Sequence, residues 1–161
     1  MALNDTVSSS LANSYVSRAF AHAYFTDHLL GDSWLEFSKQ DASLVQATLL
    51  LDSLVTWIGV VATSEQALEW PRILESGDFD GVIPPRIQKA TCELALYLAE
   101  TGSTIQDNSI SDIHVGPIKI KMNSDNAVTL LPDLIAGIIR ELGSTKASPG
   151  NSVTTITLLR A

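Results

Sequence analysis

Side chains able to do chemistry are few in this chain and stand apart from one another. His22, His28 and His114 are its three imidazoles, and none stands three or four residues from another, the spacing that puts two metal-binding histidines on one helix face. Each reads as a surface residue. Glu65 and Glu69 are one helical turn apart, as a carboxylate pair for acid–base work would be, but a solvated helix face accounts for them better. Cys92 is the sole cysteine, so the chain forms no intrachain disulfide and no cysteine cluster for zinc, and its place inside an apolar helical pattern makes it a small core side chain. There is no phosphate-cradling glycine loop, no dinucleotide fingerprint and no Gly-x-Ser-x-Gly elbow. The expectation is a protein that is not an enzyme, with no catalytic residue, cofactor or metal.

What remains is the chemistry of binding. Trp34, Trp57, Trp70, Tyr15, Tyr24 and Tyr97 have ring faces on which unpaired bases could stack, but single-strand binders combine such rings with a basic groove. This chain carries 18 acidic and 10 basic side chains, a formal charge of -8. That excludes a whole-surface attraction to phosphate backbones or anionic membranes and makes core or interface packing the better account of most aromatics. One local basic group stands out. Arg72, Arg86 and Lys89 surround the Trp70-Pro71 turn and the helix start that follows, and with Trp70 they are the candidate contacts to DNA or to a neighbouring subunit.

The elements that must position these residues follow from periodicity. A chain of 161 residues that is 45% hydrophobic and 17% charged has the composition of one packed domain. Residues 1–12 read as a flexible polar start that does not resemble a secretory signal, and no window is apolar enough to span a bilayer. Residues 13–143 read as a mainly helical, bundle-like domain. Asn13 or Ser14 would cap a first helix with Tyr15, Ala19 and Ala23 on one stripe, and Asp41 a second helix, apolar on most sides, that would form the centre of the core. Trp57 to Val61 reads as irregular, Thr63 to Ala67 as a short helix stopped by Pro71, and residues 72–83 as loop. Pro84-Pro85 opens the clearest helix, with Ile87, Ala90, Thr91, Leu94, Ala95 and Leu98 in register and Gly102 as its cap. Residues 110–122 alternate as two short strands or one bent strand, and Pro132 starts a last helix carrying Leu134, Ile135, Ile138, Ile139 and Leu142 and ending at Gly143. Residues 144–161 read as a Ser/Thr/Gly-rich linker followed by an extended, strand-forming arm. Unpaired strands recruit partner strands, so Ile118, Ile120, Met122, Val153, Ile156, Leu158, Leu159 and Arg160 are the candidate interface residues.

The order of these features resembles a known group. Leu51-Asp52, Trp57, Gln66-Ala67-Leu68-Glu69-Trp70-Pro71-Arg72, Ile83-Pro84 leading into Glu93-Leu94-Ala95-Leu96, Val115-Gly116-Pro117-Ile118 and the closing Leu158-Leu159-Arg160 are similar to a bacteriophage family labelled DnaT-like single-stranded-DNA-binding proteins, whose members look like head–tail connector adaptors. The likeness extends over roughly residues 11–160 and is most specific at the Ala-Leu-x-Trp-Pro-Arg turn. It departs from the family pattern at Ile58-Gly59-Val60-Val61, where a more basic stretch is usual. The resemblance implies a structural virion protein made in the host cytoplasm. Such a protein would form a homo-oligomeric ring of twelve between the portal protein and the tail or nozzle protein, with genomic DNA passing through its channel and no membrane partner. An acidic lining suits a channel in which DNA must slide. Reading the label literally makes the chain a single-stranded-DNA binder using Trp70, Arg72, Arg86 and Lys89. The adaptor is the preferred expectation and the DNA binder the alternative.

Overall fold

A computed structural model describes residues 2–79, 81–101, 112–115, 118–121 and 131–146. The fold is mainly α with a small β element. Helices α1 (Arg18–Phe25), α2 (Gly31–Glu36) and α3 (Gln40–Leu54) are followed by strands β1 (Val55–Trp57), β2 (Val60–Val61) and β3 (Arg72–Ile73). Then come helix α4 (Pro85–Thr101), strands β4 (Asp112–Val115) and β5 (Ile118–Lys121), helix α5 (Asp133–Ile139) and strand β6 (Gly143–Thr145).

Helix α4 is the axis of the bundle, and α3, α5, α1 and α2 all pack on it. Its buried residues, Ile87, Ala90, Thr91, Cys92, Leu94, Ala95, Leu96 and Leu98, include all six of the expected stripe. The core centre therefore lies on α4. Helix α3 buries Ser43, Leu44, Ala47, Thr48 and Leu51 but leaves Leu49 57% exposed, so its apolar sequence overstates its burial. The buried threonines cost little, because each returns its hydroxyl to the backbone one turn back, Thr48 to Leu44 O at 3.0 Å and Thr91 to Ile87 O at 2.8 Å.

Helix starts differ from the sequence expectation where a nearer cap or partner wins. Ser17 caps α1 by accepting from the Phe20 amide at 3.0 Å, which leaves Tyr15 and Val16 buried in the preceding loop and turns Ala21 and Phe25 inward in place of Ala19 and Ala23. Asp41 lies inside α3, where its carboxylate pairs with Arg18 rather than capping the helix. Pro132, in place of a helical first turn, occupies the cap position of α5, whose Ile135 and Ile139 are buried while Leu134 is exposed.

Residues 2–12, expected to be flexible, fold back with Asn13 and Ser14 as a hydrogen-bonded loop. Asn4 and Asn13 close it, with the Asn4 amide donating to Asn13 Oδ1 and the Asn13 amide to Asn4 O, both at 2.8 Å. The Tyr15 amide then donates to Thr48 Oγ1 and fixes the loop to α3.

Among the described residues the β structure is three antiparallel pairs. The pair β4–β5 answers to the alternating run at 110–122, and its register sets Asp112 against Lys121, Ile113 against Ile120, His114 against Lys119 and Val115 against Ile118. The other two pairs were not expected. Residues 57–61, read as irregular, supply parts of β1 and β2, and β2 pairs with β3 inside the expected 72–83 loop. Residues 63–67 are a turn rather than a helix, because Gln66 accepts from the Thr63 amide and donates to Leu68 O and Pro71 O, competing for the groups a helix would use. Ser144 and Thr145, assigned to the linker, lie in β6 and pair with Thr56 and Val55.

Gly143 is needed for that pairing rather than as a helix cap. A Cβ there would lie 2.7 Å from Val55 Cγ1 and 2.9 Å from the Thr56 carbonyl oxygen. Gly143→Ala is expected to cost about 1–3 kcal/mol through overpacking, measured as a lower urea midpoint. An unchanged midpoint would show that β6 is not held at this separation.

Candidate nucleic-acid interface

The expected contact group is divided by the fold. Trp70 is 1% exposed and meets Trp57 edge to face at 5.9 Å between ring centroids, so neither ring has a face for a base. Trp34 is likewise enclosed, 4.9 Å from Phe25. Arg72 is buried and its guanidinium serves the backbone. Nε donates to Ile58 O at 2.8 Å, Nη2 to Gly59 O at 2.7 Å, and Nη1 to Glu69 O and to the Glu69 carboxylate. This clamp ties β1, β2 and the Trp70-Pro71 turn together and leaves no guanidinium edge for phosphate. Arg86 and Lys89 do reach solvent from the first turns of α4. Arg86 pairs with Glu141 at 2.8 Å, both about half exposed, an exchangeable surface contact. Ile118 and Ile120 lie on β5, while Met122, Val153, Ile156, Leu158, Leu159 and Arg160 are outside the described residues.

Among the described residues, His22, His28 and Cys92 are held in structural roles. His22 bonds Gln40 at 2.9 Å, and His28 lies 3.3 Å from Glu93, which also accepts from the Tyr24 hydroxyl. The Leu30 amide donates to His28 Nδ1, so the neutral ring carries its proton on Nε2, toward Glu93. Burial, with a smaller contribution from Glu93, pushes the Cys92 thiol up to about 12, far from a thiolate nucleophile at neutral pH. Glu65 and Glu69 do not share a helix turn, since no helix forms there. Among the described residues no three His, Cys, Asp or Glu side chains gather as metal ligands would.

A buried carboxylate that sequence reasoning missed organises this region. Asp52, at the end of α3, accepts from the Tyr15 hydroxyl through Oδ1 and from the Glu69 amide through Oδ2 at 3.2 Å. Burial raises its pKa to about 6, outweighing the hydrogen bonds from Tyr15 and the Glu69 amide that favour the charged form. Desolvation, then the Asp52 charge, pushes the Tyr15 phenol upward in turn.

The junction holds the N-terminal loop beside α1 and α4, and between them opens a cleft of about 350 Å³. Tyr15, Val16 and Ser17 run along it, Phe20 enters from α1, Val82 and Ile83 from the approach to α4, Gln88 from α4 itself, and Asp5 and Val7 from the loop. Phe20 is 36% exposed, an accessible ring; Arg86 and Lys89 are exposed on the same helix as Gln88 but do not line the cleft. Two other open clefts are less suited to a nucleic acid. One, of about 410 Å³, carries Glu36 and Glu100; the other, of about 450 Å³, has no aromatic ring and its Arg18 is tied to Asp41. Nothing in the spacing of Phe20, Gln88 and Asp5 pointed to a shared site, because three separate elements bring them together.

Residues 1–159 match the family described as "Putative DnaT-like ssDNA binding protein". The chain belongs to this family. No curated protein and no solved structure matches it. The family description names single-stranded DNA, which agrees with the alternative reading of the sequence and overturns the preferred one. The head–tail adaptor role, with its virion setting, portal and tail partners and ring of twelve, is corrected accordingly. It rested on a likeness of element order and on apolar helices in apparent excess of a small core, but the bundle around α4 itself buries one face of each long helix.

Two outcomes follow from this geometry. Arg72→Lys, which keeps the charge but not the fork of donors, is expected to lose about 2 kcal/mol or more of stability, whereas Lys89→Ala should stay within about 0.5 kcal/mol. Equal urea midpoints for the two variants would remove the structural role of Arg72. For Asp52, the folded carboxyl holds its proton up to about pH 6, while an unfolded aspartate releases it near about pH 4. The folded state therefore binds more protons between those values, and the associated stability is full at the acid end and lost as pH rises through about 6. Asp52→Asn should flatten this decline relative to the parent chain in urea titrations at stepped pH. Parallel profiles would show that Asp52 titrates as an ordinary aspartate.

Proposed function

We propose that this protein binds single-stranded DNA through the cleft between the N-terminal loop, α1 and the start of α4, and that it acts by binding rather than by covalent catalysis. Membership of a family described by single-stranded DNA binding, over residues 1–159, is the observation that carries the reading. The cleft supports it with an accessible ring at Phe20, and Arg86 and Lys89, outside the lining, are exposed cations on the helix that brings Gln88 to the cleft.

The net charge of -8 confines the contact to this neighbourhood. An acidic remainder repels the rest of the strand, so few phosphates are neutralised and the affinity is modest and salt-sensitive. Arg72 does not contribute directly; it holds the turn that precedes the 81–83 approach to α4.

Fluorescence anisotropy of a short labelled oligonucleotide at low and raised salt tests the proposal. Binding should weaken as salt rises, Lys89→Ala should lower the slope of log affinity on log salt by about 0.7, and Phe20→Ala should cost about 1–3 kcal/mol of binding through the lost stack. Absence of binding at low salt would end the reading, and binding indifferent to both substitutions would move it away from this cleft.

A further inference from the structure

An anionic side chain in a DNA-binding cleft restricts which part of a nucleotide can enter. Asp5 lies on the cleft wall, facing the same space as Phe20 and Gln88, and it is carried there by the loop that Asn4 and Asn13 close. A carboxylate accepts hydrogen bonds and repels phosphate. The phosphates are thus kept outside, and the base is the part of the nucleotide that the cleft admits.

The remaining lining agrees with a base. A space of about 350 Å³ is near the lower end of the roughly 300–1,000 Å³ range of small-ligand sites, room for one unstacked base rather than a run of them. Phe20, Val82 and Ile83 are apolar and flat or branched, suited to the faces of a ring, while Asp5 and Gln88 are the polar groups available to its edge. Gln88 offers both a donor and an acceptor, but Asp5 can only accept. An exocyclic amine, as on cytosine or adenine, donates to such a carboxylate; the carbonyl that thymine or uracil carries at the equivalent position turns a lone pair toward it.

Resting on the single-stranded-DNA reading above, we propose that the cleft holds one splayed nucleobase bearing an exocyclic amine, selected by the Asp5 carboxylate against thymine and uracil. Specificity arises here from repulsion as much as from attraction, since the unfavoured base meets an acceptor with an acceptor.

Oligodeoxycytidine and oligodeoxyuridine of equal length separate the two readings, because both are weakly stacked pyrimidine strands of the same charge that differ at the base edge. The expected result is at least about fivefold tighter binding of the cytidine strand, the lower end of what a well-made base contact discriminates. Asp5→Asn, which adds a donor and removes the charge, should bring the two affinities within about twofold of one another. Asp32→Asn, the same change at an exposed acid on α2, should leave the preference in place. Asp5 is exposed, so its replacement should not disturb folding, and unchanged thermal unfolding would confirm that for each variant. Equal affinity of the parent chain for both strands, or a preference that survives Asp5→Asn, overturns the base-selective cleft while leaving single-strand binding intact. No binding of either strand overturns both.

Discussion

Asp52 stands where four parts of the chain meet, and its two oxygens set their relative positions. One oxygen accepts from Tyr15, at the exit of the N-terminal loop, and the other from the Glu69 amide, in the turn before β3. The side chain itself hangs from the end of α3, next to the Trp57–Trp70 pair. A buried carboxylate is costly unless its lone pairs are filled, so each donor is held in place by the penalty of leaving it unfilled. From this junction the N-terminal loop reaches along α1 to the cleft. The position of Asp5 thus depends on a group at the far end of another helix.

Close approach of backbone to backbone supplies the second constraint. The short strands β1, β2, β3 and β6 have few ladder bonds of their own, and they are held by groups that tolerate no extra bulk or altered fork. Gly143 lets β6 lie against Val55 and Thr56, and Gly59, at φ +73°, meets the Ile73 carbonyl where a Cβ would be 2.4 Å away. Arg72 replaces missing strand partners by donating to three carbonyls at once. The Trp57–Trp70 pair and Arg72 are taken up in this region. With all three tryptophans buried, the accessible rings are those of phenylalanines and tyrosine, and Phe20 is the one of them that lines the cleft.

Legibility in the sequence followed the range of the interactions. Helix α4 was plain because Pro85 and the Ile87-to-Leu98 stripe act within a few residues of each other, and the alternation at 110–122 reads as two short strands or one bent strand for the same reason. The α1 cap was misplaced by a few residues because Ser14 and Ser17 have the same chemistry, and only the pull of Tyr15 toward Thr48 and Asp52 decides between them. The 63–67 segment read as a helix because its composition permits one; the Gln66 side chain, bonding forward to Leu68 and Pro71, favours the turn.

By itself the sequence determined a mainly helical chain with a clear α4, a small β element, no local catalytic or metal motif, and a formal charge that limits any DNA contact to a patch. Those properties depend on composition and on spacings shorter than two helical turns, where neighbours in sequence are neighbours in space. Only the tertiary structure decided that Trp70 and Arg72 face inward, that residues 144 and 145 pair with β1, and that Asp5, Phe20 and Gln88 border one cleft. Each of these is an energetic choice between partners tens of residues apart. A tryptophan or arginine has the same local pattern whether it packs against its own core or meets a ligand, and the burial that distinguishes the two exists only once distant segments have come together.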